Sequence, residues 1–185
     1  MQKIPNNRRI LALATVAALA GCERAPEVAE PPPAAEITCG DEGFLAAELY
    51  GSIEREVNWT ASSMHCESML RPDGEGVRLR FTGETAERQL AIILALPDLE
   101  RGMTGKELPT VATLTVEGSG RFFSTPNLAS CWSDISTQDP VDEGEQRYDV
   151  GGTLYCVAPL GEVNGDAAIS IPRLEFRGII DWGAE

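Results

Sequence analysis

The residues with the most chemistry per position in this chain are its sulfurs. Five cysteines, Cys22, Cys39, Cys66, Cys131 and Cys156, accompany a single histidine, His65. A structural zinc site draws on close pairs such as C-x2-C, and no two of these cysteines are so spaced, so no metal site is expected. His65 directly precedes Cys66, which places a base beside a thiol, but neighbours on a strand point to opposite faces. His65 therefore reads as a surface or turn residue. Any Ser–His mechanism would have to use that same histidine, and Gly118-Ser119-Gly120 lacks the G-x-S-x-G frame of a nucleophile elbow and reads as a turn. Phosphate-binding and dinucleotide fingerprints are absent. The sequence thus assigns no catalytic residue and no cofactor; a hydrolase of unknown substrate is the enzymatic alternative.

Charge narrows the partners. The 185 residues carry 15 Lys+Arg against 29 Asp+Glu, a formal −14, which opposes binding to nucleic acid phosphates. Asp139, Asp142, Glu143 and Glu145 crowd the segment DPVDEGE, but their spacing does not reproduce the alternating oxygens of an EF-hand, so this reads as a solvated loop. A glycosidase pair can be drawn anywhere among the 25 acids from Ile37 onward, which makes such a pair uninformative. Trp59, Trp132, Trp182, Phe122, Phe123 and Tyr155 could together form a flat platform for sugar rings, although aromatics on β scaffolds belong more often to the core. Trp132 follows Cys131. If that cysteine points inward on a regular strand, Trp132 points outward, and it is the best single candidate for a ligand contact.

The start of the chain carries an address. Lys3, Arg8 and Arg9 stand in an acid-free opening, and residues 10–20 then run almost wholly through Ala, Leu, Ile and Val. Eleven apolar residues rise about 16 Å as a helix, roughly half of a hydrocarbon core, so this is a targeting segment, too short for a permanent span. Leu19-Ala20-Gly21-Cys22 follows at once and resembles the lipobox of bacterial lipoproteins. The resemblance implies that residues 1–21 are a signal peptide and that the Cys22 thiol takes a diacylglyceryl group. It also implies an acyl chain such as palmitate on the new amino group. Each buried CH2 adds about 0.8 kcal/mol, so two or three chains make a stable membrane anchor. Glu23, where an aspartate would retain the protein, implies the periplasmic face of the outer membrane in a Gram-negative host. Asn58-Trp59-Thr60 fits a glycosylation acceptor, a reading to which a bacterial leader gives little force.

Cleavage before Cys22 removes three cations and no acid, leaving 12 Lys+Arg against 29 Asp+Glu, or −17, on 164 residues. Residues 22–36 are built from Pro, Ala and Glu; Pro31-Pro32-Pro33 and the like charges favour an extended tether. Residues 37–185 read as one domain. Two-residue alternation with β-branched and aromatic residues predicts strands over 45–50, 53–59, 77–81, 111–116, 121–124, 147–157 and 168–182. Residues 86–96 fit a helix or a buried strand ending at Pro97; the strand is favoured because a hairpin with 77–81 would turn its apolar face inward. Turns are expected at 71–74, 118–120 and 164–166. The fold class is therefore all-β, a mainly antiparallel sandwich or flattened barrel of eight to ten strands.

With Cys22 acylated, four cysteines remain in an oxidising compartment, which predicts two disulfides. Three connectivities are open. Cys39–Cys66 and Cys131–Cys156 are preferred because each joins sequence neighbours that adjacent strands could bring together. Segments 89–96, 122–125, 149–156 and 174–178 resemble lipid-anchored β-sandwich domains of uncharacterised role, a resemblance that implies no catalytic residue. The acidic domain also compares with small β-barrel lipoproteins that inhibit lysozyme, although none of their specific motifs occurs. The expected function is a non-enzymatic binding or scaffold module, membrane-bound through Cys22. A basic envelope protein or a glycan would be its partner.

Overall fold

The computed structural model describes residues 39–183 other than 72–74, 142, 143 and 145. The leader, Cys22, the tether, most of the 71–74 turn, and Asp142, Glu143 and Glu145 lie outside the described residues. Those described contain thirteen strands and no helix. They are β1 (Phe44–Gly51), β2 (Arg55–Thr60), β3 (Met64–Leu70), β4 (Val77–Glu84), β5 (Gln89–Leu96), β6 (Gly105–Pro109) and β7 (Val111–Val116). β8 (Arg121–Ser124), β9 (Cys131–Pro140), β10 (Arg147–Cys156), β11 (Leu160–Glu162), β12 (Ala168–Ser170) and β13 (Arg173–Asp181) follow. Every pairing is antiparallel.

Alternation makes these strands. β4 buries Val77, Leu79, Phe81 and Gly83 and turns Arg78, Arg80, Thr82 and Glu84 outward. β5 lies between β4 and β7 and buries Leu90, Ile92, Leu94 and Leu96, so residues 89–96 form the strand of a hairpin with β4. The turns at 118–120 and 164–166 close the β7–β8 and β11–β12 hairpins; Asn164 adopts φ 64°, which an asparagine tolerates better than most side chains.

The ladder order is β2-β1-β13-β10-β9-β6 in one layer, sheet I, and β3-β4-β5-β7-β8-β11-β12 in the other, sheet II. The layers join along β1. Phe44–Ala47 pair with β13, whereas Tyr50 and Gly51 pair with β12, and Ile171-Pro172 interrupts the ladder between them. Proline has no N–H to offer, so the stretch expected as one strand over 168–182 is two. Its halves leave toward different neighbours, β11 and β10. The sandwich is thus closed on one side by continuous hydrogen bonding.

Between the layers, Phe81 of β4 meets Phe176 of β13 with ring centroids 5.9 Å apart. Gly178 admits the Phe81 ring: a Cβ there would lie 3.1 Å from it. Gly83 lies beneath Trp59, where a Cβ would come within 2.4 Å of the indole. Burial of each large apolar side chain is worth about 1.5–3 kcal/mol, and the fully buried set spans both sheets. Two disulfides staple it. Cys39–Cys66 ties the segment before β1 to β3, and Cys131–Cys156 joins facing residues of β9 and β10.

The strand count exceeds the eight to ten expected because four strands show little apolar alternation. β3 places Ser68 on its buried face, where the hydroxyl accepts the Asp181 N–H at 2.9 Å. β9 does the same with Ser133 and Gln138. β6 is broken by a register shift, and β11 has only three residues.

Candidate functional site

Cys131 is fully buried and Trp132 half-buried on the opposite, solvent-facing side of β9. Because Cys156 faces Cys131, register places Tyr155 directly across from Trp132. The two rings stack with centroids 6.2 Å apart and planes inclined by 28°. Their support is rigid: the disulfide lies one residue away, and Leu154 and Ser133, the next inward pair, are fully buried.

Two carboxylates adjoin the rings. Asp134 follows Trp132 by two residues on the same face, and its Oδ1 accepts the Glu107 N–H at 2.8 Å and the Tyr155 hydroxyl at 3.4 Å. Glu107 has φ 55°, a conformation uncommon for a glutamate, within the segment where the β6–β9 register shifts between Gly105 and Leu108. The Asp134 bond holds it there. Bulged edges of this kind re-aim side chains and are frequent beside functional sites. Partial burial, reinforced by Asp134 and Glu107, raises the Tyr155 phenol above its ordinary pKa, so it stays a neutral donor.

Across the sheet, Tyr155 faces Arg173 of β13, and Thr153 faces both Asp134 and Glu175. Arg173 pairs with Glu175 at 2.7 Å. Beyond them, Ala46, Glu48, Glu56, Asn58, Pro172, Arg173 and Glu175 line an open groove of about 390 Å3. Glu48 and Glu56 face each other on β1 and β2, a like-charge cross-strand arrangement that costs stability. Tyr50 donates its hydroxyl to Glu48, which raises the phenol's pKa. Groove and aromatic pair belong to one outer face, that of sheet I.

The remaining aromatics do not join this face. Trp59 is core, its Nε1 donating to the Glu84 carbonyl at 3.0 Å. Phe123 is fully buried, Phe122 is exposed in sheet II, and Trp182 packs against the core with its Nε1 on Gln138. Of the six aromatics only Trp132 and Tyr155 share this face; Trp59, Phe123 and Trp182 pack in or against the core, as aromatics on β scaffolds more often do, and strand alternation turns Phe122 out on sheet II. His65 is exposed on β3 with Nε2 3.5 Å from Glu67 Oε1, while Cys66 points inward into its disulfide. Among the described residues no cluster of His, Cys, Asp and Glu is arranged to hold a metal ion.

Tyr155 was named from sequence only as one of six platform aromatics, not as the partner of Trp132, and Asp134 and Glu107 were not singled out. A signal for Tyr155 existed: pairing Cys131 with Cys156 across antiparallel strands puts 132 opposite 155. For Glu107 there was none, since its position depends on a bulge. Comparisons with protein families, with curated proteins and with solved structures find no match to this chain.

Proposed function

We propose that this chain is a lipid-anchored cell-envelope protein, held by acylated Cys22 at the periplasmic face of the outer membrane, whose β domain is a non-enzymatic binding module. Its binding face is the outer surface of sheet I. The observation that carries the reading is the Trp132–Tyr155 pair, solvent-facing and immobilised from behind by the Cys131–Cys156 bridge. Rigid aromatics supply contact area at low entropic cost, as recognition surfaces require. Position supports the same reading. Gly40 packs against Ile179, and Trp132 lies level with Arg173, six residues away along β13. A tether entering at Cys39 would join the domain about 20 Å from the aromatic pair, at roughly 3.3 Å per residue, leaving the pair clear of the attachment.

Two measurements on protein from native membranes test this. Mass mapping of the first peptide is expected to show a chain beginning at Cys22 with acyl groups on sulfur and nitrogen; a bare Cys22 thiol overturns the anchor. A photo-crosslinking residue at Thr153, on the sheet I face, is expected to capture a partner that the same residue at Thr82, on the sheet II face, does not. Capture from Thr82 alone overturns the assignment of the face.

A further inference from the structure

We propose that the Trp132–Tyr155–Asp134–Glu107 cluster receives a cationic side chain, an arginine or lysine, of a basic polypeptide lying across the outer face of sheet I. The inference rests on the preceding assignment of that face as the binding surface and names its occupant. The first ground is chemical. An aromatic stack beside two carboxylates offers a cation both a π face and anionic acceptors; such contacts contribute most where they are partly desolvated, and Trp132, Tyr155 and Asp134 are half-buried, with Glu107 exposed at the edge. A neutral sugar would use the rings and leave the carboxylates without a cation.

The second ground is the charge balance of the face. Of its three arginines, Arg173 is engaged with Glu175 and Arg177 with Asp149 at 2.7 Å and with Glu42, while the exposed Arg147 stands at the far end of β10, opposite Asp181 and eight residues from Tyr155. Glu48, Glu56, Glu107 and Asp134 have no ion pair with any cation among the described residues. Lys106, exposed and next in the chain to Glu107, pairs with neither it nor Asp134. Sheet II differs: Arg80 there sits between Glu67 at 3.3 Å and Glu117 at 2.9 Å. The unbalanced negative charge thus belongs to the face that carries the aromatic pair, and the complementary occupant is positive.

The dimensions define the occupant further. From β9 to β2 the face crosses four strand spacings of about 4.8 Å, some 19 Å, the length of about six extended residues. One cation on the Trp132 cluster and a second over the Glu48–Glu56 pair would fit a segment of that length.

The test uses the full chain in neutral detergent, with hexa-arginine, hexa-lysine, hexa-glutamate and chitotetraose as probes, read by Trp fluorescence and calorimetry. Both cationic peptides are expected to bind, hexa-arginine more tightly, and to weaken at least tenfold between 50 and 500 mM NaCl. Trp132→Ala and Asp134→Asn are each expected to weaken hexa-arginine at least tenfold. Asparagine keeps an acceptor for the Glu107 N–H, so the fold is retained in that variant. Asp166→Asn, an equal charge change in the exposed β11–β12 turn, is expected to alter affinity less than twofold. Equal losses in Asp134→Asn and Asp166→Asn overturn the site in favour of diffuse attraction. Chitotetraose binding that Trp132→Ala abolishes, without peptide binding, overturns the cationic occupant while leaving the binding face standing. No binding of any probe overturns the proposal, and the Thr153 crosslink then decides separately whether the face binds at all.

Discussion

Replacing Cys131 and Cys156 together by alanine separates the two contributions of a disulfide. The bridge spans a sequence separation of 25, for which chain-entropy reasoning gives a restraint on the unfolded chain of about 12 cal/mol/K, or about 3.5 kcal/mol at 25 °C. Cys39–Cys66, with a separation of 27, gives nearly the same figure. The folded states differ. Cys131 and Cys156 face each other at the end of two ten-residue strands whose ladder keeps them in place without the bond, so almost the whole loss should be read in stability. Cys39 lies before β1 in a segment outside any ladder, tied by the Gly43 N–H to the Gly40 carbonyl and by Gly40 against Ile179. Without its bridge that segment loosens in the folded protein too. At about 1–2 kcal/mol of entropy per freed residue, partly offset by weaker packing on Ile179, it recovers some 1–2 kcal/mol. Urea denaturation should therefore find Cys131→Ala/Cys156→Ala less stable by about 3.5 kcal/mol, and Cys39→Ala/Cys66→Ala less stable by about 2 kcal/mol. Faster amide exchange over 39–43 should appear in the second variant only. An equal or larger loss in the second refutes the native-state argument; losses below about 1 kcal/mol in both refute the entropic one.

Three further outcomes follow from the packing. Gln138 donates to the carbonyls of Glu100 and Met103 and accepts from the Gly102 N–H and Trp182 Nε1, so Gln138→Leu should lower stability by about 3–4 kcal/mol in urea at about 1 kcal/mol per bond; a loss under about 1 kcal/mol contradicts this. Gly83→Val should cost about 2–3 kcal/mol in thermal denaturation through its clash with Trp59, whereas Gly161→Ala, whose Cβ meets nothing within 4 Å, should cost nothing measurable; equal effects would remove the packing argument. The Arg121 guanidinium donates to Glu162 at 2.6 Å and holds that carboxyl below its ordinary pKa. Its contribution is therefore fully present above the ordinary glutamate pKa of about 4.3 and is lost as pH falls from there through the lowered folded-state value, so the difference in urea midpoint between wild type and Glu162→Gln should be largest near pH 7 and shrink steadily as the pH is lowered below about 4.

The strands that sequence could locate are those whose burial is purely apolar. β4 and β7 alternate buried apolar residues with mostly polar ones, and nothing competes with that period; β5, apolar from Leu90 to Leu96, fitted a helix as well and was decided by its hairpin with β4. β3 and β9 were hidden by polar residues on their inner faces. Ser68, Ser133 and Gln138 are buried because each finds a hydrogen-bond partner across the fold: Asp181, Thr110, and the loop at 100–103 with Trp182. Such partners lie tens of residues away, so no local window contains the reason a serine or glutamine is tolerated inside. Pro172 was visible in the sequence. Its effect depended on β1 having two different ladders to offer, one on each side of the break.

The aromatic pair marks a different boundary. Alternation assigns a residue to a face, and on that basis Trp132 points outward once Cys131 points in. Which residue stands beside it depends on register, and a shift of one position would have placed Leu154 opposite Trp132 and turned every side chain of β10 to the wrong face. A disulfide between facing residues removes that freedom: 131 against 156 requires 132 against 155 and 134 against 153. The same covalent bond therefore stabilises the hairpin and fixes the composition of the surface above it. It follows that the bridge specifies the site as much as the fold. That register holds from the bridge to Gly152, where the β9–β10 ladder shifts; at the β6–β9 edge another shift intervenes closer to the pair, and Glu107 takes its place from the Asp134 side chain instead.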